Sequence, residues 1–135
     1  MTLQYSVAVR NARLDVVEST IGASAILTIR SGAAPANCAA ANSGTVLATI
    51  TLPSDWMSAA SSGTKSMSGT WSDSAADNTG TAAHFRIHDS GGTTCGMQGT
   101  VTATGGGGDM TVDNTSFASG QAFSITSFTL TAGNA

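Results

Sequence analysis

From Ala25 to Thr131 the apolar side chains recur at every second position, in short runs broken by stretches rich in Gly, Asn, Ser and Asp. A period of two places successive side chains on opposite faces of a pleated strand, so most of this chain is committed to β structure. The runs are Ala25 to Arg30, Thr45 to Leu52, Met67 to Trp71, Ala82 to His88, Met97 to Ala103, Met110 to Val112 and Ala122 to Thr131. In the last of them Phe123 and Ile125 share one parity while Phe128 and Leu130 share the other, which predicts a bulge near Ser127. Parallel strands need long crossovers, and no convincing helix lies among these runs, so the expectation is an antiparallel β-sandwich or jelly roll. A short helical turn capped by Ser54 is expected to give Trp56 and Met57 cover.

The segment before Gly22 follows a different rule. Leu3, Val7, Leu14, Val17 and Ile21 are spaced mainly by threes and fours, interrupted by Arg10, and Gly22 follows where a helix would stop. This predicts a helix over Ser6 to Ile21. Its apolar stripe has two readings, packing on the sheet of its own chain or self-association. Residues 1–22 are thus read as an arm and helix and 23–135 as the sandwich body, together one structural unit.

Charged residues make up 10% of the chain, against roughly 25% in an ordinary soluble domain. The surface must therefore be built from hydroxyls, small side chains and backbone, and a surface so thinly charged favours association. Five Lys plus Arg and a net charge of -3 exclude a phosphate-tracking surface, hence nucleic acid as a partner. No stretch approaches the ~18 apolar residues of a membrane helix. MTLQYSVAVRNARLD has neither the basic start nor the continuous apolar core of a secretory signal, so a soluble chain made in the cytoplasm is expected.

Catalytic, cofactor and metal constellations are not found. The Gly105 to Gly108 run lacks the Lys-Ser or Lys-Thr and the helix of a phosphate loop, and reads as a hairpin turn. His84, Arg86 and His88 share one face of a strand. Two such His could contribute to a metal site, but without a third ligand the strip reads as solvated or facing an interface. Asp55, Asp73, Asp77, Asp89, Asp109 and Asp113 sit among Gly, Ser, Asn and Thr, where aspartate closes turns with its own side chain. Calcium is the best remaining ligand for such loops, although no EF-hand spacing supports it. Cys38 and Cys95 read as two free thiols, with one disulfide between them as the alternative.

Five stretches carry a resemblance: VRNARLDVVEST, SGAAPANC, LATITLPSDWM, SGTWSDSAADNTGTAAHFRIHDSGGTTC and GTVTATGGGGDMTVDN. Together they span most of the chain, which resembles the cement or decoration proteins of tailed bacteriophages. The resemblance implies a jelly-roll-like, non-enzymatic virion protein on the capsid exterior. It would self-associate as a dimer or trimer and bind the major capsid protein. The residues expected at such interfaces are Leu3, Val7, Leu14, Val17, Ile21, Trp56, His84, Arg86 and His88. The alternative function is a carbohydrate- or receptor-binding β module of a phage tail or fibre, which exposed aromatics would help to stack on sugars; Tyr5, Trp56 and Trp71 are the ones available besides Phe.

Overall fold

The computed structural model describes residues 2–133. One helix, α1 (Val7–Ile21), leads into ten strands: β1 (Ile26–Arg30), β2 (Val46–Thr51), β3 (Thr64–Ser66), β4 (Ser72–Asp73), β5 (Gly80–Thr81), β6 (His84–His88), β7 (Cys95–Ala103), β8 (Met110–Val112), β9 (Ser116–Phe117) and β10 (Phe123–Thr131). The main sheet runs β2-β1-β6-β7-β8-β10-β3, with β4 also paired to β10, and β5 and β9 form a separate ribbon. The chain is mainly β with a single helix, as its periodicity requires.

The main sheet is too long to lie flat around one core, and it curls. β6 and β10 are three strand spacings apart in sheet order, which in a flat sheet is roughly 14 Å. Yet the Phe85 and Phe128 ring centroids are 5.5 Å apart and nearly perpendicular. β2, at one end of the order, also approaches β4, which pairs with β10 near the other end. Two half-sheets therefore face one another, in the manner of a sandwich. Between them lie Leu27, Ile29, Leu47, Ile50, Trp56, Trp71, Phe85, Ile87, Val101, Met110, Val112, Phe117, Phe123, Ile125 and Phe128.

The bulge near Ser127 is present. β10 pairs with β8 through Ile125 opposite Val112 and Ser127 opposite Thr111, so one extra residue on β10 changes which parity points inward. Phe123, Ile125 and Phe128 are consequently all buried.

Other expectations need correction. Pairing is antiparallel except between β7 and β8, where Val101 to Ala103 run alongside Met110 to Val112. The Gly105 to Gly108 run is thus a return between parallel strands and not a hairpin. A return this short works because β8 has only three residues, so the chain retreats by about 7–10 Å. Gly105 and Gly107 adopt positive φ, while Gly106 and Gly108 lie where a Cβ would come within 2.8 Å of Thr102. Met67 to Trp71 is not a strand. Met67 makes one isolated bridge to Met57, and the strand falls just before it at β3 and just after it at β4. The helical turn after Ser54 is also absent. The indole N–H of Trp56 instead donates to the Gly22 carbonyl at 3.0 Å, which holds Trp56 in the core with no helix of its own.

Candidate functional site

Two regions collect the residues singled out above: the faces of α1, and a covered polar layer on the outside of β1, β6 and β7. The helix begins at Ser6, whose Oγ accepts from the Val9 amide at 3.3 Å, and ends where the Gly22 N–H donates to Glu18 O at 2.8 Å. Leu14, Val17 and Ile21 follow the i, i+3, i+7 rule of one face. Leu14 and Ile21 are buried and Val17 packs on the core. The C-terminal part of the stripe thus docks on the chain's own sheet, the first of its two readings, and these three side chains are spent inside the molecule.

Polar contacts fasten the same helix. The Lys65 ammonium on β3 meets Asp15 Oδ1 at 2.8 Å and Glu18 Oε2 at 2.9 Å, and also donates to Ser58 O at 3.0 Å. Burial alone would lower the Lys65 pKa, but its bonds to the two carboxylates outweigh burial and raise it. Asp15 is correspondingly held below the usual carboxylate range, chiefly by the Lys65 bond. Asn11 accepts from the Gly63 amide, Asp15 from that of Ala60 and Glu18 from that of Met57. Arg10, which interrupted the stripe, donates from Nε to Ala132 O at 2.6 Å. None of these partnerships was visible in the sequence, because each joins residues far apart along the chain.

The opposite side of α1 is apolar and open. Val9 and Val16, two turns apart, are 44% and 57% exposed, and with Val7, Tyr5 and Leu3 they form the exposed large apolar side chains of the described residues. The Arg13 guanidinium lies 5.2 Å from the Tyr5 ring centroid. Leu3 and Val7 are exposed. Val9 and Val16 fall outside the stripe, and only their shared helical face, read separately, could have found them.

The polar layer overturns the reading of His84, Arg86 and His88 as a solvated or interface strip. All three are buried, because the loop from Ser31 to Thr45 folds back over them. Gln98, opposite Arg86 on β7, completes the layer. Arg86 donates from Nε and Nη2 to Gln98 Oε1 at 3.1 and 2.9 Å, from Nη1 to Asn42 Oδ1 at 2.8 Å and from Nη2 to Asn37 O at 2.8 Å. The Gln98 amide reaches Pro35 O at 2.7 Å. His84 Nδ1 lies 2.8 Å from Gly32 O, so the carbonyl fixes the proton on Nδ1. Nε2 is buried without a partner among the described residues. The guanidinium thus serves as the anchor of a long loop, and its acceptors are neutral groups.

His88 sits beside Arg86, Arg30 and Asp89. Burial first, then the two arginines, hold its pKa below the ordinary value of 6.5, with Asp89 opposing them. An unfolded chain then binds the His88 proton at higher pH than the folded one does. The stabilisation is complete above about pH 6.5 and is lost as pH falls through the lower folded value. The thermal midpoint is therefore expected to decline between pH 7 and pH 5, and His88→Gln should flatten that part of the profile. An unchanged slope in the variant would refute the assignment. Asp15 and Asp89, both with lowered pKa values, contribute above the carboxylate range and lose that contribution in more acidic solution.

Asp73 and Asp89 close local turns as their neighbours suggested, accepting from amides two and four residues on, whereas Asp77, Asp109 and Asp113 tie separate segments together, with partners 28, 9 and 11 positions away. Asp73, Asp77, Asp89, Asp109 and Asp113 accept from Ala75 N, Thr49 Oγ1, Thr93 N, Thr100 N and Ser124 N respectively. Among the described residues no group of three or more His, Cys, Asp or Glu could hold a metal ion, so the calcium suggestion has no site there. Trp56 and Trp71 are both fully buried, which removes Trp56 from the expected interface and both indoles from any sugar-stacking role. A hollow of about 490 Å³ is a mostly apolar groove between α1 and the β6–β7 turn, lined by Val16, Val17, Ile21 and Gly96 among others.

A scan against protein-family models, a search of curated proteins and a search of solved structures each return no match to this chain.

Proposed function

We propose that this chain is a virion structural protein, a cement subunit that binds the outside of a phage capsid lattice and stabilises the head. The observation that carries the reading is the open apolar face of α1, with Val9 and Val16 at its centre, on a chain with only 10% charged residues. The sequence resemblance to decoration proteins supports the same conclusion. The helix is rigidly fastened by its inner face, so its outer face is presented without loss of side-chain order, which favours binding. Copies that bridge neighbouring capsid subunits stabilise the closed shell selectively, because they bind that state and not its separated parts. Modest contacts suffice, since a bridged lattice raises the effective concentration for each further contact. The partners in this reading are the major capsid protein and other copies of the chain.

The test is location followed by disruption. Purified particles should carry many copies on the head by imaging and mass spectrometry. Val9→Asp combined with Val16→Asp, both at exposed positions, should leave the fold intact and lower head occupancy at least ~10-fold, since burying two unpaired charges costs several kcal/mol. Absence from heads, a few copies at the tail, or undiminished occupancy of the double variant would each reject the reading. The carbohydrate module draws little support from the aromatic side chains, because both Trp and all four Phe are interior and Tyr5 alone is exposed among the described residues.

A further inference from the structure

We propose that Cys38 and Cys95 are an oxidisable dithiol that closes into an intrachain disulfide by exchange with a low-molecular-weight disulfide such as oxidised glutathione. The two residues are remote in sequence, yet the fold brings both to the lining of one small polar cavity of about 220 Å³, shared with Asn42, Arg86, His88 and Thr93. Cys38 is close enough to Cys95 to help hold its thiol pKa up. Cys95 Sγ also lies 3.5 Å from Met97 O. Both are free and only partly buried, so a small reagent can reach them.

Neither sulfur is held loosely. Cys95 opens β7, paired opposite His88. Cys38 lies within an Asn37 turn, whose Oδ1 accepts from the Ala39 and Ala40 amides at 3.0 Å. That turn is pinned on either side of Cys38 by the bonds of Arg86 to Asn37 O and Asn42 Oδ1. A pair positioned by the fold meets at a high effective concentration, which favours an internal bridge over adducts.

The exchange balances. One cysteine loses its proton and its sulfur attacks glutathione disulfide, forming a mixed disulfide and expelling a glutathione thiolate. The second cysteine, deprotonated in turn, attacks the protein-side sulfur of that mixed disulfide and expels the second glutathione. Two cysteine thiols are oxidised and one glutathione disulfide is reduced to two thiols. Burial and the adjacent Cys38 thiol push Cys95 up to about 11, so its thiolate is scarce at neutral pH and the exchange should quicken as pH rises. Once closed, the bridge ties the Ser31 to Thr45 loop to β7. A chain made in a reducing compartment and then released into an oxidising one would acquire this tie after folding.

The folded wild-type chain should be incubated with glutathione disulfide and followed by intact mass and peptide mapping. The expected product is a monomer lighter by two hydrogens, with a Cys38–Cys95 linked peptide. Cys95→Ser should stop at a glutathione adduct on Cys38. Closure of the wild type should be at least ~10-fold slower in denaturing urea, and the oxidised chain should melt about 5 °C or more above the reduced one. Thiols that stay reduced, a persistent glutathione adduct on the wild type, disulfide-linked dimers, or equal closure rates in urea would each overturn the proposal. None of these readouts depends on capsid binding.

Discussion

Trp71→Ala is expected to destabilise the protein by about 3–5 kcal/mol, a large share of the roughly 5–15 kcal/mol that holds a typical domain together. Trp71 is fully buried and its ring bridges two others, with centroids 6.0 Å from Trp56 and 5.6 Å from Phe128. Phe128 in turn meets Phe85, so the four rings form one chain linking the two half-sheets. Aromatics are only 5% of this sequence, and its small Ala, Ser and Thr side chains cannot move in to fill the void. The indole N–H also loses its bond to Ser68 O, at 3.2 Å. The thermal midpoint should fall by about 10–20 °C, with a matching drop in the urea midpoint. Trp71→Phe, which keeps a ring beside Phe128, should cost less than half as much. A loss of under about 1 kcal/mol for the alanine variant would mean that the sandwich core relaxes in a way its packing does not suggest.

Arg86→Met is expected to cost about 2–4 kcal/mol and to release the Ser31 to Thr45 loop. Methionine approximates the volume but donates nothing. Gln98 Oε1, Asn42 Oδ1 and Asn37 O would lose their charged donor in a covered layer. Relief from burying a guanidinium offsets only part of this, because that group is weakly hydrated to begin with. Arg86→Lys should rescue little, since one ammonium cannot serve acceptors spread on both sides of a planar fork. Hydrogen exchange should rise selectively at the amides of residues 36–42, and limited proteolysis should cut there first. Unchanged protection of that loop in Arg86→Met would show that something other than the guanidinium holds it down.

Much of the β architecture was legible because alternation is a local property. Periodicity placed β1, β2, β6, β7, β8 and β10 nearly correctly, and the parity change between Ile125 and Phe128 even located the bulge. What escaped were features set by distant partners. β3, β4, β5 and β9 are two or three residues long, too short for any period to show. The parallel pairing of β7 with β8 depends on how tightly four glycines can double back, which no run of alternating residues reports. The polar layer was misread because strand alternation says which residues share a face and nothing about what covers it. The only available hint was the unusual length of the Ser31 to Thr45 segment, since long loops in compact domains are seldom idle.

The same distance effect explains the half-legible helix. Leu14, Val17 and Ile21 were found by spacing, whereas Lys65 looked like an ordinary surface lysine between Thr64 and Ser66. It is 3% exposed in its side chain because Asp15 and Glu18 come to it from another element.

That arrangement makes the helix a structural member and not an appendage. Trimming the chain back to its strands would leave a cation stranded without counter-charge and an apolar patch laid bare where Leu14 and Ile21 had rested. Anyone seeking a minimal version of this protein should expect the shortened piece to clump, and should graft new sequence ahead of Ser6, leaving the following turns untouched.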